Sequence, residues 1–231
     1  MLCAMRCALA AGTLAGWSLP AFAPLSRPLA GALRIPRTIT SGVAVTFDDG
    51  PHPQGTPAVL EVLADHGATA TFFMLGEQVI KAPALAREVV AAGHHVGIHG
   101  HRHRNLLRLP PAVIARDLDR AYAVIAEATD RAPRLHRAPY GIYSWPALNT
   151  VRARGWTPLL WSRWGRDWTR HATPGSIAST VGQLVDGDVV LLHDADDYSA
   201  PGSWRRTAAA LPFVLESIAA SGLPCVSLSG R

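Results

Sequence analysis

Val43-Ala44-Val45-Thr46-Phe47-Asp48-Asp49-Gly50-Pro51 is the stretch whose reading decides the fold. Its first five residues are mostly β-branched or apolar and read as a buried strand. Two aspartates follow at once, and Gly50-Pro51 makes a turn. Helical spacing comes next over 56–66, with Val59, Leu60 and Leu63 on one face. The same alternation then runs down the chain. Further strands are expected at 69–74, 95–99, 134–137, 157–161, 189–193 and 224–228, with helices at 82–92, 110–129, 145–154, 174–184 and 201–220 between them. Strands that alternate strictly with helices are parallel and joined by crossovers. Seven such units either wind an open sheet or close a barrel, and periodicity alone does not choose.

The chain of 231 residues suffices for a single domain with one good core. Hydrophobic residues at 48% against 17% charged exclude a disordered chain. The net charge is +5, carried almost wholly by arginine, with Lys81 the only lysine. These cations are scattered, so the clustered footprint of a nucleic-acid binder is missing and no nucleic-acid partner is expected.

The first residues stand apart. No charge lies between Arg6 and Arg27, and the stretch is apolar and small, ending in Ala21-Phe22-Ala23. Residues 1–23 therefore read as a signal peptide, and the chain as exported to the cell envelope or secreted. Pro24 after the cut is unfavourable, which keeps open an uncleaved anchor, or a cytoplasmic protein whose start is wrongly placed. Residues 24–41, with three prolines and one glycine, read as a linker or lead-in to a domain over 42–231. No later segment reaches spanning length, so no stable membrane span is expected in the mature chain. Cys225, in the apolar run 223–228, reads as a core thiol.

Ionisable residues gather just past the C-terminal ends of the expected strands. Asp48 and Asp49 follow the first, His99 and His103 the third, Arg137 the fourth, Asp167 the fifth and His193 the sixth. That rim is where barrels and open α/β sheets build their sites. Asp-Gly-Pro alone would pass for a polar turn, but adjacent carboxylates repel unless a cation or an arginine offsets them. His99 and His103 are four apart, a spacing that puts both imidazoles on one face if the segment makes a helical turn. Joined to a carboxylate they would make a two-histidine, one-carboxylate metal site. His94, His95 and His101 crowd the same stretch and leave the choice among histidines open.

With these motifs in order, the chain resembles the polysaccharide deacetylase family, the NodB-homology domain of carbohydrate esterase family 4. The resemblance covers roughly Val43 to Leu228. It rests on Thr-Phe-Asp-Asp-Gly at 46–50, the pair His99 and His103, Arg-x-Pro-Tyr-Gly at 137–141, Asp167-Trp168, and Leu-x-His at 191–193. Gly100 stands where the family has a hydroxyl residue, and Trp164 where the fourth motif has its first aspartate. The resemblance implies a distorted, incompletely closed (β/α) barrel of about seven parallel strands. It also implies a hydrolase that removes an acyl group, foremost N-acetyl, from a carbohydrate.

By the same resemblance Asp49, His99 and His103 would hold one divalent ion. Zinc is the first choice, with iron, cobalt and manganese also suited to these ligands. Asp48 would be the general base, oriented by Arg137, and His193 the general acid, oriented by Asp167. The Tyr140 N–H would help stabilise the oxyanion, and Trp168 and Leu191 would wall the acyl pocket. Read singly, Arg137 and Asp167 could be a structural ion pair, and Trp168 and Leu191 plain core. The two departures bear on the substrate more than on the reaction. Two other readings remain: an amidohydrolase or deformylase acting on a non-polysaccharide or lipid-linked sugar amide, and a catalytically silent sugar-binding domain.

Overall fold

The computed structural model describes residues 16–229. Seven parallel strands, β1 Ala44–Asp48, β2 Thr71–Met74, β3 His95–Ile98, β4 Leu135–His136, β5 Thr157–Pro158, β6 Arg163–Trp164 and β7 Val189–His193, form one curled sheet in the order β5-β4-β3-β2-β1-β7-β6. The ladder does not join β5 to β6, so this is the distorted, incompletely closed barrel expected. Every residue of β1 and β2 is buried, as parallel strands covered on both faces require. The Phe47 and Phe72 rings, on neighbouring strands, stack 5.1 Å apart.

The register matters most for function. Along β1 and β7, Thr46 pairs with Leu191 and Asp48 with His193, and Trp164 of β6 also pairs with Leu191. Side chains alternate along a strand, and register partners in parallel strands share a face. Thr46, Asp48, Leu191, His193 and Trp164 therefore line one face together, while Val45, Phe47, Val190 and Leu192 lie on the other.

Three parts of the sequence reading need correction. The strand that completes the seven is β6, Arg163–Trp164, whereas Pro224–Leu228 adds only an isolated bridge, Cys225 to Val43. Arg163-Trp164 sits among polar residues and glycine, with no apolar or alternating run to mark it as a strand. A helix over Gly76–Lys81 precedes the expected one at Pro83–Ala91; Pro83 divides them by pushing Ala82 out of helical geometry. Residues 24–41, read as a linker or lead-in, are folded and partly buried. A 3₁₀ helix, Leu19–Leu25, runs into a short α-helix, Arg27–Ala32, whose first turn is capped by the Ser26 hydroxyl accepting from the Leu29 N–H. Ala23, Ala30, Leu33 and Ile35 are buried against the domain. The Trp17 indole donates to the Leu107 carbonyl, 3.2 Å away. The opening residues 1–15 lie outside the described part. Cys225 is half-buried with its thiol toward the Thr69 carbonyl. Among the described residues no helix is long and apolar enough to cross a membrane.

Candidate active site

β1 ends on Asp48, and the chain then turns sharply. Asp49 sits at φ 81, a left-handed conformation that side-chain-bearing residues rarely adopt. This turn brings both carboxylates to the rim at different angles. Asp49 points between the two histidines, its Oδ1 lying 3.4 Å from His99 Nε2 and 3.4 Å from His103 Nε2. The ligand atoms of these three residues all fall within 4.8 Å of one another.

The protons show what the cluster is built for. His99 Nδ1 faces the Arg137 carbonyl at 2.9 Å. A carbonyl can only accept, so Nδ1 carries a proton, which leaves Nε2, facing Asp49, as the nitrogen available to a metal. Asp49 Oδ1 is buried without a hydrogen-bond partner among the described residues. Lone pairs converging in a buried place call for a cation, and the donor set fits a divalent metal. Burial alone would push the Asp49 carboxyl up, but the surrounding imidazoles bring it down to about 2. Burial lowers His103 to about 4, so it is neutral and ready to ligate at ordinary pH.

The spacing of His99 and His103 does not arise from a helical turn, as the sequence suggested. The segment is an irregular loop, and Gly100 stands at φ 104. A β-carbon there would come within 3.2 Å of the Arg102 carbonyl oxygen and 3.4 Å of Asp117 Oδ2. Asp117 already braces this loop by accepting from the His101 N–H at 2.8 Å. His94, His95 and His101 lie outside the cluster.

Two charged pairs flank the three ligands. Arg137 is fully buried and donates to Asp48 Oδ1 at 2.7 Å and to the Thr46 hydroxyl at 2.8 Å. Its remaining donors reach the Leu159 and Leu160 carbonyls, and its guanidinium lies over the Phe73 ring. On the other side Asp167 accepts hydrogen bonds from His193 Nδ1 at 3.0 Å, from the His193 backbone N–H at 2.7 Å and from the Thr207 hydroxyl at 2.8 Å. Burial by itself would lower His193. The Asp167 charge and hydrogen bond outweigh it and raise His193 to about 10, with Asp49 and Asp48 adding to the effect. Arg137 and Asp167 thus serve different partners and do not pair with each other.

One cavity of about 270 Å³ collects these groups. Asp48, Asp49, His99, His103 and His193 line it, with Tyr140, Trp168 and Leu191. Trp168 stands edge-on to the His193 ring at 5.4 Å. Tyr140 holds a left-handed turn at φ 60. Trp161 and Trp164 extend the aromatic wall, their rings 6.2 Å apart. Sequence reasoning gave no role to Thr46, Thr207 and Tyr198. Thr46 lies inside a quoted motif, two residues before Asp48 on the same face. Nothing in the sequence marks Thr207 or Tyr198, which are brought in by a distant helix and a loop.

Comparison with known proteins agrees with this geometry. The polysaccharide deacetylase family model matches residues 37–159. A chitooligosaccharide deacetylase of Bradyrhizobium is 41% identical over 156 residues, 67% of this chain and 71% of that protein. A peptidoglycan-N-acetylglucosamine deacetylase of Bacillus cereus is 34% identical over 191 residues, 81% of this chain and 86% of that protein. Among solved structures, a family 4 carbohydrate esterase from Streptomyces lividans in complex with acetate superimposes with a TM-score of 0.74 at 30% identity, covering 82% of this chain and 94% of the other. The chain belongs to the polysaccharide deacetylase family.

Proposed function

We propose that this protein is a metal-dependent hydrolase that removes an acyl group, foremost acetyl, from an N-acylated sugar. The observation that carries the reading is the placing of two oriented proton carriers, Asp48 and His193, beside one buried ligand cluster. A divalent cation held by Asp49, His99 and His103, zinc in our assignment, would polarise the acyl carbonyl and lower the pKa of a water. Asp48 takes the proton of the attacking water through Oδ2, because Arg137 occupies Oδ1. The water oxygen adds to the acyl carbon, and the carbon–nitrogen bond then breaks. His193, protonated and held by Asp167, delivers its Nε2 proton to the leaving amine, which departs poorly as an anion. The products are a carboxylate and the free amino sugar. The Tyr140 N–H supports the oxyanion, and Trp168 and Leu191 enclose the acyl methyl.

The deciding experiment is an assay of the metal-reconstituted protein over a panel of acylated sugars, scoring acetate and formate. Acetate release supports the reading. Formate or ring opening of a small amide, without acetate, would show an amidohydrolase. Binding of sugars without any turnover would show a silent binding domain. We also propose that the uncharged run before Arg27 directs export to the cell envelope, and fractionation of producing cells tests this. Recovery of all the protein in the cytoplasm would refute it.

A further inference from the structure

The two histidines of the ligand cluster are held in place by different means. His99 has its Nδ1 fixed by the Arg137 carbonyl. His103 has no such support: its Nδ1 is buried and lacks a hydrogen-bond partner among the described residues. Ligating histidines ordinarily use that second nitrogen to fix ring orientation. His103 is instead bracketed by rings. Tyr198 stacks nearly face to face on it, centroids 4.4 Å apart with the planes at 21°, and Tyr140 meets it nearly edge-on at 4.4 Å and 68°. Tyr198 is itself tethered, its hydroxyl donating to Glu77 Oε1 at 2.5 Å. Glu77 opens the helix Gly76–Lys81 and its N–H donates to the His101 carbonyl, within the histidine loop. A side chain from the loop after β7 thus reaches the cavity wall and is linked, through Glu77, to the segment that carries His103.

We propose that Tyr198 is the positioning residue for His103, holding the imidazole in its ligating orientation by ring stacking where His99 uses a hydrogen bond. The proposal rests on the reading of Asp49, His99 and His103 as a metal site. Stacking fixes the plane of a flat ring while leaving it free to slide within that plane. The Glu77 tether limits the motion of the stacking partner itself.

The test is a titration of metal-free, full-length protein with Co²⁺, following the visible absorption that reports ligand geometry. It compares the parent chain with Tyr198→Ala, Tyr198→Phe and Glu77→Gln. Loss of an outer support of a ligating histidine weakens metal binding by about 10- to 100-fold. Tyr198→Ala is expected to fall at the lower end of that range, with a changed visible spectrum. Tyr198→Phe keeps the ring and should recover most of the affinity and the parent spectrum, and Glu77→Gln should resemble it. Tyr198 is 41% exposed, so its truncation leaves no core cavity. Should the alanine variant nevertheless fail to fold, Tyr198→Leu, which restores bulk without a flat ring, carries the same expectation. Parent affinity and an unaltered spectrum in the alanine variant would overturn the proposal, as would an equal loss in the phenylalanine variant. A parent chain that takes up no Co²⁺ at all would overturn the metal reading beneath it, a result distinct from either of these.

Discussion

Asp48 and Asp49 are chain neighbours with opposite tasks, and the turn at Asp49 is what separates them. Asp48→Asn keeps its hydrogen bond to Arg137 and loses the basicity. Metal content should stay at the parent level while turnover falls by roughly two to four orders of magnitude. Asp49→Ala removes a ligand, so metal affinity should collapse, with slight recovery of activity in excess metal. Metal content and rate measured side by side check both; a metal-free Asp48→Asn with a metal-loaded Asp49→Ala would reverse the assignment. His193 supplies a second test. Asp167 outweighs burial and raises it above its ordinary 6.5, so it keeps its proton into the alkaline range, and activity that needs the protonated form is lost on the alkaline side. Asp167→Asn removes the chief cause of the rise. The alkaline limb of kcat/KM should move to lower pH while the acid limb stays in place. These residues could be named from the sequence because motif order identified them. Their proton donors and acceptors could not: Thr207 and the Arg137 carbonyl reach the site only through folding, and no local pattern announces a contact spanning 40 residues.

Strands of four or five residues left a readable trace, as the close agreement at β1, β2 and β7 shows. Of the two-residue strands, β4 and β5 fell inside expected strands and β6 did not. β6 is held by its register with β7 more than by its own sequence, and the apolar run around Cys225 imitated a strand that the sheet never takes up. The histidine loop is the other instructive element. A spacing of four suggested a helical turn, but Gly100 at φ 104 sets a different path. This has a consequence for the family hydroxyl that Gly100 replaces. Gly100→Ser should not improve the protein; a side chain in that conformation costs roughly 1–3 kcal/mol, and it would crowd the Asp117 carboxylate. Urea unfolding should show the loss, and metal affinity should fall with it. The loop at Pro139–Gly141 is equally confined. A β-carbon on Gly141 would come within 2.7 Å of the Trp161 ring and 3.1 Å of Pro24.

For the molecule as a whole, pH acts on stability through buried neutral histidine as well as through catalysis. Burial lowers His136 from 6.5 to about 3, and its ring sits beside the Tyr143 hydroxyl in the core. An unfolded chain takes up that proton below pH 6.5 while the folded one does not. Folding stability should therefore fall as the pH drops from 6.5 toward 3, by about 1.4 kcal/mol per pH unit for this group. Thermal melts across that range check the slope, and a flat profile would count against a neutral His136. The contact of Pro24 with Gly141 has a further bearing, on the order of events in the cell. Ala23 is fully buried, so the bond after it joins two residues that are already part of the finished molecule. A leader peptidase cutting there would need its strand before the domain closes over it. Such a cut would leave Pro24 in place against the Tyr140 loop and would take away its buried neighbour, Ala23.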